Sequence, residues 1–399
     1  MNKDLNLLKP YPFEQLANLK AGIQAPVNLP HIALSIGEPK HAPPAFVLKT
    51  LQQQLGQVSI YPSTKGLEEL RQTLSEWLSQ RFKLNTNSLN PETNVLPVNG
   101  SREGLFSFTQ AIVDRSAPEP LVLMPNPFYQ IYEGAAFLAG AKPYYLPCRE
   151  ENNFFPDMSN IDVQILKNCQ LLFLCSPGNP TGTVYSAKQL HQIIELADKY
   201  DFVIASDECY SEIYLDEDKP PTGLLQACAE LGRDDFKRCV VFHSLSKRSN
   251  LPGLRSGFVA GDAALIQAFL KYRTYHGCAM STPTQLASIS AWQDEQHVRQ
   301  NRDLYREKFQ LVHDILGNQL QLEYPEGGFY FWAKTPIDDQ SFAQQLYQQQ
   351  NITVLPGQFL SRTIMGENPG QNRVRMALVA TIDECQAAAN RMQNFISTL

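Results

Sequence analysis

Between about residues 93 and 275, short apolar runs alternate with amphipathic stretches, and this alternation restricts the fold more than any other feature of the chain. Thr93–Val98, Leu121–Met124, Leu171–Leu174, Phe202–Ser206, Cys239–His243 and Ser256–Ala260 read as strands. Helical patterns lie between several of them, from Ser101 to about Val113, from about Tyr129, and from about Ser186 to Tyr200. Strand alternating with helix predicts an α/β fold with a mostly parallel sheet covered on both faces. Ligands of such sheets bind outside the carboxyl ends of the strands. Polar residues directly after strands are therefore the ones to inspect for chemistry.

After about residue 283 the pattern changes. A long helical stretch runs to about Leu316, and Gly328–Trp332, Ile352–Leu355 and Arg373–Leu378 read as strands with helices between and after them. This predicts a smaller α+β domain. The expected division is an N-terminal arm over 1–45 that packs with the small domain, a large domain over 46–285 and a small C-terminal domain over 286–399. The arm is marked by Pro10, Pro12, Pro26 and Pro30.

Composition narrows the function classes. The 399 residues are 43% hydrophobic and 19% charged, ordinary for a globular chain. A net charge of −6 leaves no basic footprint for nucleic acid or an acidic membrane surface. The eight cysteines form no C-x-x-C pair, so neither a zinc site nor a redox pair is expected, and no metal is assigned. No stretch approaches the roughly 18 apolar residues that span a bilayer, and the start lacks an apolar signal core. The expected location is the cytoplasm.

Four polar motifs fall at strand ends in one order: Ser176-Pro-Gly-Asn-Pro-Thr-Gly182, Ser206-Asp-Glu-Cys-Tyr210, Ser244-Leu-Ser-Lys247 and Gly253-Leu-Arg-Ser-Gly257. Each alone has an ordinary reading. Pro, Gly and Asn make turns, an Asp at a strand end caps helices, and Ser-Leu-Ser-Lys is a polar loop. Their joint occurrence in this order resembles the class I and II aminotransferases, pyridoxal-phosphate enzymes of fold type I, from about Leu34 to the chain end.

The resemblance implies roles for matching positions. Lys247 would be the lysine that holds the cofactor as a Schiff base and shuttles the proton. Asp207 would pair with the pyridinium nitrogen and keep it protonated, while Tyr210 and Asn179 would bond the ring's phenolic oxygen. Gly100, Ser101 and Arg102, between a strand and a helix, would form a phosphate site at the helix N-terminus, completed by Ser244 and Arg255. Tyr61 matches a family tyrosine that reaches the phosphate of the neighbouring subunit, which implies a homodimer. Tyr129 matches the aromatic that stacks on the ring, with the adjacent Phe128 as the rival register. Arg375 would grip the substrate α-carboxylate, in preference to Arg373 two residues earlier, and Gly37 would let the chain approach the substrate.

Leu34–His41, Pro127–Gly134, Tyr272–Gly277 and Leu8–Phe13 further resemble the bacterial N-succinyl-diaminopimelate aminotransferases. That subgroup implies a role in diaminopimelate and lysine synthesis, with glutamate and 2-oxoglutarate as the exchange pair. Lys40, Lys65, Arg273 and His276 are candidates for gripping the distal succinyl carboxylate. The alternatives are an aminotransferase for alanine, aspartate or aromatic donors, a C–S lyase of the same fold, and a regulator carrying an aminotransferase-like domain.

Overall fold

A computed structural model describes residues 1–399. Its strands, in chain order, are β1 (Ile32–Ala33), β2 (Val95–Val98), β3 (Leu121–Asn126), β4 (Lys142–Pro147), β5 (Cys169–Cys175), β6 (Val203–Asp207), β7 (Cys239–Ser244), β8 (Gly257–Gly261), β9 (Tyr330–Lys334), β10 (Ile352–Thr353), β11 (Leu355–Pro356) and β12 (Arg373–Ala377). Seven of them form one sheet in the order β2-β8-β7-β6-β5-β3-β4. β8 alone runs against its neighbours. The mostly parallel sheet expected from the alternation is present.

Both faces of this sheet are buried, which is why its strands read as unbroken apolar runs. Leu172, Leu174, Ile204 and Val241 point into one core cluster, and their chain neighbours Leu171, Phe173, Ala205, Val240 and Phe242 point into another. Each large side chain so buried contributes about 1.5–3 kcal/mol. A third cluster sits under the antiparallel sheet β11-β12-β9, where the helix Gln296–Leu320 contributes Tyr305, Phe309, Val312 and Leu316.

The N-terminal segment is tied to this smaller sheet region. β1 pairs in parallel with β10, Ile32 opposite Ile352. Ala377 N–H then donates to Leu34 O at 2.7 Å. The helix Pro12–Leu19 buries Leu16 against Leu355, Phe359 and Leu360.

Three expectations need correction. β4 was hidden by Pro143 and Pro147, which an edge strand tolerates. The long helical stretch is two helices, Thr282–Gln293 and Gln296–Leu320, because Asp294 accepts from the His297 N–H at 2.9 Å and starts a new helix. The run Ile352–Leu355 is divided between β10 and β11, which pair with different partners. No helix is long and apolar enough to cross a membrane.

Candidate active site

Strand register gathers the motifs. Cys175 lies opposite Asp207, and Asp207 opposite Phe242, so the loops after β5, β6 and β7 leave the sheet side by side. They open on a cavity of about 350 Å³.

Ser244 ends β7 and accepts from the Ser246 N–H at 3.1 Å, which starts a single helical turn, Leu245–Arg248. That turn presents Lys247 to the cavity, where its Nζ donates to Gly37 O and stands 5.4 Å from the centroid of the Phe329 ring. Burial pushes the Lys247 amine down to about 8. Asp207, the last residue of β6, is buried and accepts from the Tyr132 hydroxyl at 2.9 Å and the Cys209 N–H at 3.3 Å. Both donors are neutral, and desolvation raises the Asp207 pKa above the usual carboxylate range.

The cavity is bordered by the start of a helix. Gly100 stands at the N-cap of the helix Ser101–Ile112 with φ +86°. A Cβ there would lie 2.3 Å from Arg255 Nη2, so only glycine admits the guanidinium at this point. Ser101, Arg102, Ser244, Ser246 and Arg255 line the same cavity. Arg375 also lines the cavity and is 4% exposed. Its Nη1 donates to Asn179 Oδ1 at 2.8 Å and its Nη2 to Ser35 O at 2.6 Å, and Nε has no partner. The Tyr330 ring lies 4.5 Å beneath it, and the Tyr330 hydroxyl is 2.6 Å from that of Tyr210.

Most of the residues singled out from the sequence therefore share one chamber: Gly37, Ser101, Arg102, Tyr129, Asn179, Asp207, Tyr210, Ser244, Lys247, Arg255 and Arg375. Gly100 adjoins it as the helix cap. Of the two rival aromatics, Tyr129 lines the chamber, whereas Phe128 is buried 5.2 Å from Arg362 and 5.5 Å from the Tyr145 ring. Arg373 turns away to Glu150 at 2.8 Å. Tyr61 is fully exposed and outside the chamber of its own chain. Lys40, Lys65, Arg273 and His276 do not line it either. Lys65 pairs with Glu92 at 2.6 Å, Lys40 lies 3.8 Å from Glu384, and Arg273 is wholly buried on Glu103 and Cys278 O.

Sequence reasoning missed Tyr11, Ser35, Tyr132, Ser246 and Tyr330. Tyr132 sat inside the quoted run Pro127–Gly134 with no role assigned to it, one residue into the helix Ile131–Leu138. Ser246 sat inside a quoted motif. Tyr11 sat inside the quoted run Leu8–Phe13 with no role assigned to it; its hydroxyl takes a hydrogen bond from Arg102 Nη2 at 2.5 Å while Arg102 Nε donates to Tyr129 at 2.7 Å.

Known proteins resemble this chain along most of its length. The profile described as aminotransferase class I and II matches residues 30–392. An LL-diaminopimelate aminotransferase of Aquifex aeolicus is 32% identical over 397 residues, 98% of this chain and 97% of that protein. The crystal structure of an aminotransferase from Neisseria meningitidis superposes with a TM-score of 0.95 at 48% identity, covering 99% of this chain and all of the other. The aminotransferase AspB from Helicobacter pylori gives 0.90 at 36% identity, over 98% of this chain and all of the other. With a fold type I architecture, a match across most of its length and these relatives, the chain belongs to the class I and II aminotransferase family.

Proposed function

We propose that this chain is a pyridoxal-phosphate transaminase for N-succinyl-LL-2,6-diaminopimelate, with 2-oxoglutarate and glutamate as the exchange pair. The observation that carries the transaminase reading is the convergence of Lys247, Asp207 and Arg375 on one chamber, and the presence of a further arginine, Arg102, in that chamber supports a substrate with a second carboxylate.

The chamber fits the cofactor that the family implies. A helix N-terminus with Ser101, Ser244 and Arg255 suits a phosphate. A buried carboxylate with only neutral donors suits a cationic ring nitrogen, and a buried amine of lowered pKa suits an aldehyde. When bound, pyridoxal phosphate supplies the aldehyde for amino exchange and the electron sink for the substrate α-carbon. Tyr210, Asn179 and Tyr129 line the same chamber, which supports the first two as partners of the ring's oxygen and the third as cover for the ring.

The remaining work belongs to side chains. Arg375 holds the α-carboxylate through its free Nε and the edge now shared with Asn179 and Ser35 O, and so orients the α-hydrogen. Lys247 Nζ, with an appreciable neutral fraction near pH 8, takes that proton and returns one. A second carboxylate needs a second cation. Arg102 lines the chamber with two tyrosine hydroxyls as its side-chain partners, and it is the group we assign to the succinyl end, in place of Lys40, Lys65, Arg273 and His276.

The names of the relatives favour a second reading, free LL-diaminopimelate as substrate. A panel of N-succinyl-LL-diaminopimelate, LL-diaminopimelate, alanine, aspartate and phenylalanine, each with 2-oxoglutarate, separates the two. The succinylated compound should lead in kcat/KM by roughly a hundredfold, the worth of one desolvated charge-assisted contact. A lead by free LL-diaminopimelate replaces the substrate and keeps the chemistry. Release of thiol or pyruvate without amino exchange would make the chain a lyase instead.

A further inference from the structure

Lys308, on the helix Gln296–Leu320, is 2% exposed and has no carboxylate in hydrogen-bond contact. Its hydrogen-bond partner is His41 Nε2 at 2.6 Å. A buried ammonium with one neutral acceptor is costly, and burial pushes this amine down to about 8. The contact therefore calls for an explanation beyond packing.

The acceptor role fixes everything further along. An imidazole that accepts at Nε2 carries its proton on Nδ1, which donates to Asn301 Oδ1 at 2.7 Å. Asn301 Oδ1 also accepts from Asn250 Nδ2 at 3.0 Å, so the amide nitrogen of Asn301 must face the other way. There it donates to Lys247 O at 3.3 Å and Arg248 O at 3.4 Å. A second route joins the same ends. The His41 ring lies 4.7 Å from Tyr305, Tyr305 stacks 5.5 Å from Phe329, and Phe329 lies under Lys247 Nζ. His41 also ends the segment whose Gly37 carbonyl receives the Lys247 amine and whose Ser35 carbonyl receives Arg375.

We propose that His41 is a positioning residue for Lys247, holding the segment Ser35–His41 and the turn Leu245–Arg248 in one register so that the Gly37 carbonyl stays on the reactive amine. The inference rests on Lys247 being the reactive amine. The Gly37 carbonyl stabilises the protonated nitrogen, so loss of register lowers the pKa of that nitrogen and misplaces it. Gln at position 41 can accept from Lys308 and donate to Asn301; Phe can do neither.

The test is the pH dependence of pyridoxal-phosphate capture by the cofactor-free protein, read by absorbance, together with kcat and KM of the loaded enzyme. His41→Phe should move the capture midpoint down by about half a unit or more. Its kcat should fall roughly ten- to a hundredfold, with KM changed far less. His41→Gln should restore most of both. If His41→Phe does not fold, Asn301→Ser cuts the same chain and carries the same expectation. A folded variant that melts earlier but keeps the parental midpoint and a kcat within about twofold overturns the proposal, since loss of packing alone moves only stability. A Lys247→Ala enzyme with normal turnover would instead remove the reading of Lys247 and leave the register question separate.

Discussion

Tyr132 donates its hydroxyl to Asp207 at 2.9 Å from a fully buried ring stacked 4.4 Å on Phe173. The pair explains how an acid can be kept ready in a dry place. Asp207 has neutral donors and a raised pKa, so in the cofactor-free chain its charge is under strain, which a cationic ring nitrogen would relieve.

The sign of the linkage follows. A carboxyl whose folded pKa is raised stabilises the fold below its unfolded pKa and loses that contribution as pH rises through the folded value. Cofactor-free Asp207→Asn should therefore melt above the parent at pH 7, by an amount on the order of 1 kcal/mol, with the gap closing in acid. The same variant should lose roughly a hundredfold or more in turnover. Thermal melts across pH and steady-state rates check both halves. Equal melts at pH 7 would count against strain at Asp207.

Lys247 behaves in the opposite sense. Its folded pKa is lowered to about 8, so its contribution to stability is complete above the unfolded lysine pKa and falls away as pH drops through about 8. Capture of added pyridoxal phosphate by cofactor-free protein should follow the neutral amine, with a midpoint near 8 rather than in the ordinary lysine range. Stopped-flow absorbance reads this directly. Lys247→Ala should bind the cofactor through the remaining contacts but retain less than about a thousandth of the turnover.

Arg375→Ala should raise KM for every amino-acid substrate by roughly ten- to a hundredfold, because every substrate presents an α-carboxylate. Arg102→Met should penalise the succinylated substrate and spare alanine. Arg373→Ala, on the same strand but paired with Glu150, should leave the substrate constants close to parental. Equal losses on both substrates for Arg102→Met would return that residue to the cofactor alone.

Tyr61 is fully exposed and lies beside exposed Val58 and Ile60. We expect it to enter the site of a second copy. Mixing an inactive Lys247 variant with an inactive Tyr61 variant should then restore activity in hybrids, one of whose two sites has both residues intact. Proven hybrids without recovery would confine Tyr61 to its own chain.

The parallel sheet was legible because both its faces are buried, and burial on both faces leaves continuous apolar runs such as Leu171–Leu174. The candidate site was legible where side chains stand at a strand's end or in the turn just after it, as Asp207 and Lys247 do. It was not legible where tertiary packing delivers the residue. Tyr330 reaches the chamber because β9 pairs with β12 at the Trp332–Arg375 register, which no local pattern encodes. Tyr11 arrives on an irregular segment, held by Arg102. Substrate cations near motifs in the sequence, such as Lys65 and Arg273, proved to be engaged elsewhere in ion pairs.

The pairing of β1 with β10 sets an order of events during synthesis. Residues 203–207 and 239–247 emerge early enough for the seven-stranded sheet to form before the last quarter of the chain exists. Ile32 and Leu34 must wait for Ile352, Thr353 and Ala377, some 320 residues later. Until those arrive, β1 has no strand to pair with, and the Ser35 carbonyl has no Arg375 to receive. A nascent or C-terminally truncated chain can thus possess Lys247 without Arg375, and the chamber is complete only when the two ends of the polypeptide meet.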